Sequence, residues 1–419
     1  MSDSDENSVK YDNGQIARQS RPTLEYNGVR RLPRVAIVCD YLEEGWPSMD
    51  LVADMLLDQL HHRHTTEVEA YRVCPPFRRV IGRFSSLKKQ KMAFNFDRFL
   101  NRFWLYPQHL RRYRRQFDLF HVIDHSYAHL VHALPAERTI VTCNDLDAFG
   151  CLLKPQQDSR STLFRCMTRH IWTGLQQAAF VTCISDATRN GLLQHDMLKP
   201  ERTETIYLGV DPIFYHQPDP GADAEVKRLI GEEGVDRIDL LHVGSTIPRK
   251  RIDVLLNVFA RVRHAFPQAR LLRVGGPFQA EQMDLFRQLD LASSVVVLPF
   301  IERDVLAAVY RRAALVLQPS EAEGFGLPIA EAMACGTPVV ASDLAVLREV
   351  GGRAASYCPV ANIEGWSHTV INLLSERLNF PERWEKCRSD GWDHTAQFSW
   401  RTYAERMMRV YERVLAEVA

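Results

Sequence analysis

The chain has 419 residues, enough for two domains of ordinary size that each bury their own core. Its 52 basic and 52 acidic residues cancel, so no global field points to nucleic acid, and 46% hydrophobic residues is ordinary for a globular protein in water. No run reaches the roughly 18 uninterrupted apolar residues of a membrane span, and nine cysteines without a CxxC pair or metal-like His/Cys spacing read as buried free thiols in a reducing compartment.

The first thirty residues are polar and lack the apolar core of a signal peptide, so residues 1–32 are expected to form a disordered tail on a cytoplasmic protein. Arg34 to Asp40 (RVAIVCD) reads as a first buried strand. The loop YLEEGWPSMD follows, with Gly45 beside Trp46 and Pro47, and leads into a helix from about Leu51 to Leu60.

Between Arg78 and Arg115 the composition changes. Twelve basic residues (Arg78, Arg79, Arg83, Lys88, Lys89, Lys91, Arg98, Arg102, Arg111, Arg112, Arg114, Arg115) are interleaved with Phe84, Phe94, Phe96, Phe99, Phe103, Trp104 and Tyr106. Asp97 is the one acid in that span. Two readings stand: an interfacial helix on an anionic membrane surface, or a helical pair whose aromatics enter the core while its cations are solvated.

Phe117 to Ile123 is the next strand and delivers Asp124, His125 and Ser126 at its carboxyl end. Thr139 to Cys143 delivers Asn144 and Asp145 in the same way. Open α/β sheets place their ligands at such strand ends. For His125 a satisfied structural histidine is the competing reading. Ala178 to Ile184 is a further strand, and Ser185 is a good N-cap for the helix behind it.

Residues 212–235 read as a linker with a short helix near Ala224 to Gly231. Strands are then expected at Asp239 to Gly244, Arg270 to Val274, Val295 to Pro299, Ala313 to Leu317 and Thr337 to Ala341, with helices such as Ile252 to Phe266 and Asp304 to Arg312 between them. Alternating βα units imply a parallel sheet covered by helices on both faces. The turn GSTIPRKRID after the first of these strands sets Arg249, Lys250 and Arg251 just before a helix. Cations there oppose the helix dipole unless an anion lies between. Neither domain's first turn reads G-x-G-x-x-G, which argues against a dinucleotide-dependent enzyme.

The stretch Leu315 to Gly352 carries the sharpest pattern. An apolar strand ends at Gln318-Pro319-Ser320, and the loop Glu321-Ala322-Glu323-Gly324-Phe325-Gly326 follows. Pro328 opens a helix that runs from Ile329 to Cys335 and stops at Gly336. A glycine-flanked helix N-terminus favours a phosphate or a polar sugar, since its amides are unpaired and glycine leaves the backbone open to a ligand. Glu323 and Glu331, eight residues apart, suit hydroxyls on either side of such an anion. A helix-capping Glu323 and a solvated Glu331 is the plain alternative.

With EGFGLP inside it and EAMACGTPVVAS behind it, this E-x7-E spacing resembles the donor-site signature of the retaining GT-B glycosyltransferases of family 4. The resemblance runs from about Arg34 to Val418 and is strongest from Leu240 to Ala341. It implies an α/β fold of two Rossmann-like doubly wound domains facing each other across a cleft: residues 33–211 on the acceptor side, the linker 212–235, residues 236–395 on the nucleotide-sugar side, and residues 396–419 as a final helix returning to the N-terminal domain. It implies transfer of a hexose from a UDP-, GDP- or ADP-sugar, with no further cofactor and no metal, to a saccharide or lipid-linked acceptor. Glu331 would hold the ribose, and Glu323 the sugar hydroxyls. The backbone of Phe325, Gly326 and Leu327 would face the diphosphate and sugar. Lys250 would bind the diphosphate, with Arg249 beside it, over the turn of Gly244 and Ser245, where the family often carries an arginine.

Gly45, Asn144 and Asp145 fall on the acceptor side, although Gly45 sits in a loop that the family also uses to approach donor phosphates. Family members commonly carry a histidine where this chain has Asn144, and His125 on the neighbouring strand end would take over part of its role. A catalytically idle scaffold that keeps the fold is the rival reading. Peripheral attachment to the inner face of a membrane through residues 78–115 would bring a soluble domain to a lipid-linked acceptor.

Overall fold

A computed structural model describes residues 31–80, 90–153, 155–156, 160–231 and 237–418. The expected tail at residues 1–30, the residues Arg83, Phe84, Lys88 and Lys89, and the linker residues beyond Gly231 lie outside the described residues.

Two six-stranded sheets carry the fold. The first holds β1 (Arg34–Val38), β2 (Glu69–Val73), β3 (Leu119–Val122), β4 (Thr139–Cys143), β5 (Phe180–Cys183) and β6 (Thr203–Thr205), in the order β2-β1-β3-β4-β5-β6. The second holds β7 (Ile238–Val243), β8 (Ala269–Val274), β9 (Val295–Leu298), β10 (Leu315–Gln318), β11 (Val339–Ser342) and β12 (Ser356–Cys358), in the order β12-β11-β10-β7-β8-β9. Its pairs are parallel throughout. Each order reverses direction beside its first strand, between β1 and β3 and between β7 and β10. Doubly wound sheets open a crevice at that point.

The chain divides into two compact units. One lies within Met1–Thr142, Ser159–Val181 and Tyr411–Ala419, the other within Cys143–Asp158 and Thr182–Val410. In the first, β1, β3 and β4 are almost wholly buried, as their apolar runs require. His121 on β3 is also buried, bonding the Tyr411 hydroxyl at 2.8 Å and Thr142 Oγ1 at 2.7 Å, and burial pushes its pKa down to about 3. The second unit has a core in which Leu240, Leu271, Leu315 and Val340 of the sheet meet Leu255, Phe259 and Trp366 from its helices.

Several boundaries move for local reasons. The first helix runs Pro47–Arg63, not Leu51 to Leu60, because Pro47 takes a first-turn position where no amide is needed. Gly45 closes the short turn Leu42–Glu44 with φ +70°. The linker helix spans Pro220–Ile230, earlier than Ala224, because Asp219 caps it by accepting from the amides of Gly221 and Ala222. The strand expected at Thr337 to Ala341 is β11, two residues later, since Gly336 and Pro338 belong to the turn before it.

In the basic and aromatic stretch some residues enter the core and others are exposed. A helix Gln90–Leu100, a π-helical turn Asn101–Leu105 and a helix Tyr106–Tyr113 run on from one another. Asp97, Asn101, Arg102, Tyr106 and Leu110 face the core. The Asp97 carboxylate accepts from the Val80 amide, and Arg102 reaches Glu44 at 3.3 Å. Arg102 is thus a buried partner and not a solvated cation. Met92, Phe96 and Phe99, spaced i, i+4, i+7, are exposed together with Trp104.

Helix Thr162–Gln177 packs closely on the segment His125–Ala133. A Cβ at Gly174 would stand 2.1 Å from the Ala128 carbonyl oxygen. Gly174→Ala should therefore destabilise the protein by roughly 3 kcal/mol despite alanine's better helix propensity, because backbone faces backbone and cannot give way. Denaturant titration of the two proteins checks this, and an equal or higher stability for the alanine variant would contradict the packing.

Candidate functional site

In the second unit, β7 ends in the turn Gly244–Ile247 and the short turn Pro248–Lys250, while β10 ends in the loop from Pro319 to Gly326. These two strands are hydrogen-bonded neighbours at the point where the sheet reverses. Their loops are tied together, the Glu321 amide donating to the Arg249 carbonyl at 2.8 Å.

The Glu323 side chain, 7% exposed, is the centre of the site. Its Oε1 accepts from Lys250 Nζ at 2.6 Å, Ser320 Oγ at 2.7 Å and Gln318 Nε2 at 2.7 Å. Its Oε2 lies 3.5 Å from Arg249 Nη1, which also donates to the Ala322 carbonyl at 2.9 Å. Arg249 Nε faces Asp147 at 3.4 Å. Burial alone would push the Glu323 carboxyl up, but Lys250, Ser320 and Arg249 hold it below the ordinary glutamate value. The anion that cations beside a helix start call for is, in this structure, Glu323 itself.

Glycines set the backbone. Gly326 has φ +102° and caps the helix Leu327–Ala334, where no side chain takes the cap position's hydrogen bond and Pro328 lies in the first turn. A Cβ on Gly324 would come within 2.1 Å of the Asn144 carbonyl oxygen, so this loop fits only a glycine there. Phe325 between them is buried and Leu327 half-buried. Asn144 is buried against Gly324, and Asp145 follows, its carboxylate accepting from the Asp147 amide.

Glu331, half-buried on the same helix, meets a different environment. Its Oε2 accepts from the Tyr310 hydroxyl at 2.9 Å. Burial pushes its pKa up to about 7, and neither Tyr310 nor Arg303 offsets that. Glu331 is thus neither fully solvated nor as readily ionised as an exposed glutamate.

Under the turn of Gly244 and the half-buried Ser245, Arg273 is fully buried. Its guanidinium donates to the carbonyls of Gly244 (3.0 Å), Gly275 and Gly276, and burial lowers its pKa to about 10. It is still a cation at neutral pH. His242 on β7 is fully buried and kept neutral by burial and by Arg273 and Lys250.

Two proposed site residues belong to the first unit. His125 is buried with Nδ1 3.2 Å from Asp124, whose carboxylate also accepts from the Ser126 amide. Burial would raise the Asp124 pKa, but His125 and Ser126 hold it far below the usual range. Gly45 stands in the loop after β1, and Asp40 in that loop is a buried carboxyl pushed up by burial and by Asp124. The sequence reading passed over Tyr310, Gln318, Ser320 and Arg273. A glutamine ending an otherwise apolar strand and an arginine inside one were the available signals.

The family description "Glycosyltransferase Family 4" matches residues 51–214, and "Glycosyl transferases group 1" matches residues 224–388. The chain is 33% identical over 235 residues to a D-inositol 3-phosphate glycosyltransferase of Segniliparus rotundus, an alignment that takes in 54% of this chain and 50% of that protein. It is 32% identical over 240 residues to the protein of the same name from Gordonia bronchialis, with 52% of each covered. The chain thus spans about half the length of the curated relatives it matches. Among solved structures it resembles a sucrose-phosphate synthase from Thermosynechococcus elongatus, with TM-score 0.70, 21% identity, and 92% of this chain and 100% of the other covered. It also resembles Anabaena HepE, solved with UDP-glucose, with TM-score 0.68, 17% identity, and 91% and 100% covered. With adjoining family matches over most of its length and two parallel sheets of this topology, the chain belongs to the family 4 glycosyltransferases of GT-B fold.

Proposed function

We propose that the protein is a glycosyltransferase that moves a hexose from a nucleoside-diphosphate sugar to a saccharide or lipid-linked acceptor with retention of configuration. The observation that carries this reading is the buried Glu323 carboxylate clasped by Lys250 and Arg249 beside an uncapped, glycine-led helix. A donor diphosphate at that helix end is the stronger anion and would draw Lys250 and Arg249 away from Glu323. The released carboxylate is then an acceptor for sugar hydroxyls, and Glu331 an acceptor for those of the ribose. The acceptor hydroxyl forms the new bond at the anomeric carbon as the bond to the diphosphate breaks. A diphosphate oxygen takes the proton, and the two cations stabilise the leaving charge with no metal required. Anabaena HepE binds UDP-glucose, which makes UDP the first nucleotide to test against GDP and ADP.

The idle-scaffold reading rests on Asn144, an amide that cannot relay a proton. Release of nucleoside diphosphate from a panel of UDP-, GDP- and ADP-hexoses separates the two. No release with any donor would favour the scaffold.

Removing Lys250 should affect both chemistry and stability. Lys250→Ala should lower turnover by on the order of a hundredfold. It should also cost on the order of 3 kcal/mol of stability, because buried Glu323 keeps its neutral donors but is left with Arg249, at 3.5 Å, as its cation. Steady-state kinetics and denaturant melts check both, and wild-type turnover would refute the site.

Glu331 gives a pH signature. Its carboxyl must ionise to accept strongly from ribose hydroxyls, and its pKa is pushed up to about 7. The nucleotide should therefore bind more weakly as pH falls through 7, by about tenfold between pH 8 and pH 6. Glu331→Gln should bind weakly at both pH values with that component of the dependence removed. Calorimetry with UDP is the measurement, and an identical pH profile in the two proteins would exclude the role.

For the membrane, the exposed stripe of Met92, Phe96 and Phe99 and the exposed Arg111, Arg112, Arg114 and Arg115 at the end of the same helical run support a peripheral site on anionic lipid. Co-sedimentation with anionic vesicles should be strong at low salt and reduced by Phe96→Ser/Phe99→Ser. A protein that stays in the supernatant at low salt would remove this part of the reading.

A further inference from the structure

We infer, on the reading of the first unit as the acceptor side, that Asp40 is a positioning residue there: it keeps its proton, donates its O–H to the Asp124 carboxylate, and so fixes the Asp124–His125 pair. β1 and β3 are adjacent where the first sheet reverses. Val38 stands opposite Val122, and the Ile123 amide donates to the Val38 carbonyl at 3.1 Å. Carried two residues on, the same register sets Asp40 opposite Asp124 at the carboxyl ends of the two strands.

The two carboxyls are unequal. Asp40 is 4% exposed and Asp124 7%, so water serves neither well. Asp124 accepts from the Ser126 amide at 2.9 Å and from the Ser126 hydroxyl, and His125 Nδ1 stands 3.2 Å away. Neither carboxyl oxygen of Asp40 meets a hydrogen-bond donor among the described residues. The side chain in hydrogen-bonding contact with it is Asp124. Two buried carboxyls in contact do not both ionise. The proton stays on the one without donors, and its O–H then satisfies a lone pair of the other.

The groups around Asp40 leave that assignment intact. They are Arg102 from the π-helical turn, Glu44 from the loop after β1, and Cys39, Cys74 and Tyr127. Arg102 is the cation among them. Its guanidinium donates to Glu44 at 3.3 Å and to the carbonyl and hydroxyl of Ser126, and lies over the Tyr127 ring at 4.1 Å. Glu44 adds negative charge, and burial keeps both thiols and the phenol neutral. With Asp124 ionised, the neutral His125 ring carries its proton on Nδ1. Nε2 is then its hydrogen-bond acceptor, the form suited to a sugar or lipid-linked hydroxyl.

Asp40→Asn tests the assignment, because the amide offers Asp124 an N–H donor of the same shape with no proton to lose. Carbon NMR of protein labelled at its aspartate carboxyls reads Asp40 directly, its resonance being identified by its loss in Asp40→Asn. At about pH 6 it should be that of a protonated carboxyl, where an ordinary aspartate is ionised. Nitrogen NMR of histidine-labelled protein reads His125, assigned by its loss in His125→Gln. Its shifts should match wild type in Asp40→Asn and move in Asp40→Ala. Native Asp40 holds a proton that the unfolded chain loses above the ordinary aspartate range, so this group lowers wild-type stability as pH rises. The wild-type unfolding constant, relative to that of Asp40→Asn, should therefore grow about tenfold per pH unit while native Asp40 stays protonated. An Asp40 ionised at about pH 6, or His125 shifts that differ between wild type and Asp40→Asn, overturns the inference. So does a folded Asp40→Ala that leaves His125 unmoved. None of these measurements uses a sugar donor, so they stand or fall separately from the Glu323 site.

Discussion

The architecture where the second sheet reverses depends on one buried carboxylate. Glu323 comes from the loop after β10, and Lys250 and Arg249 come from the loop after β7. These strands are adjacent where the parallel sheet reverses, so the ion pair closes the crevice that the topology opens. Burying a carboxylate is costly unless its lone pairs are occupied. Gln318, Ser320 and Lys250 together saturate one oxygen. That cluster pins the loop, and the pinned loop brings Gly324 against Asn144 and starts the helix at Gly326. Remove the carboxylate and the cations face each other, the loop loses its anchor, and the helix start has no fixed position.

The same motif holds a second carboxylate in the opposite condition. Glu323 is surrounded by donors that hold its pKa down, whereas Glu331 has a phenol, burial and little else, and its pKa is pushed up to about 7. Sequence spacing alone treats the two glutamates as a pair of equals. Their environments separate them: donors and cations favour the charged form of Glu323, while burial disfavours that of Glu331.

The fold was readable wherever burial was complete. All four central strands of the second sheet and all four of the first were marked by apolar runs. Three of the four edge strands (β2, β6 and β12) were not, because an edge strand is covered on fewer sides and tolerates polar residues, as the EAYRV of β2 shows. Helix starts moved where a proline or an aspartate cap outranked the apolar period, at Pro47 and at Asp219. In the site, the charged residues of the motif were legible because their spacing is fixed by the loop that holds them. Tyr310, Gln318 and Ser320 were not, since each acts through a contact that only the folded sheet creates. The basic stretch was ambiguous for a similar reason: Arg102 and Phe96 are indistinguishable in composition from their neighbours, yet one faces Glu44 in the core and the other faces solvent.

Charge beneath the site adds to that of Lys250 and Arg249. Arg273 is a cation at neutral pH with no carboxylate partner among the described residues, its guanidinium spent on the carbonyls of Gly244, Gly275 and Gly276. It fixes the turns and adds a positive field beneath them. Lys250 and Arg249 bring two more charges, against which Glu323 supplies one and Asp147, at 3.4 Å and half-exposed, a weaker second. The helix end at Gly326 adds its own partial positive charge. His242 contributes none, because Arg273 and Lys250 keep it neutral. What remains is a site where Lys250, Arg249, Arg273 and a helix start face Glu323 and Asp147, so positive charge outweighs negative around the turns.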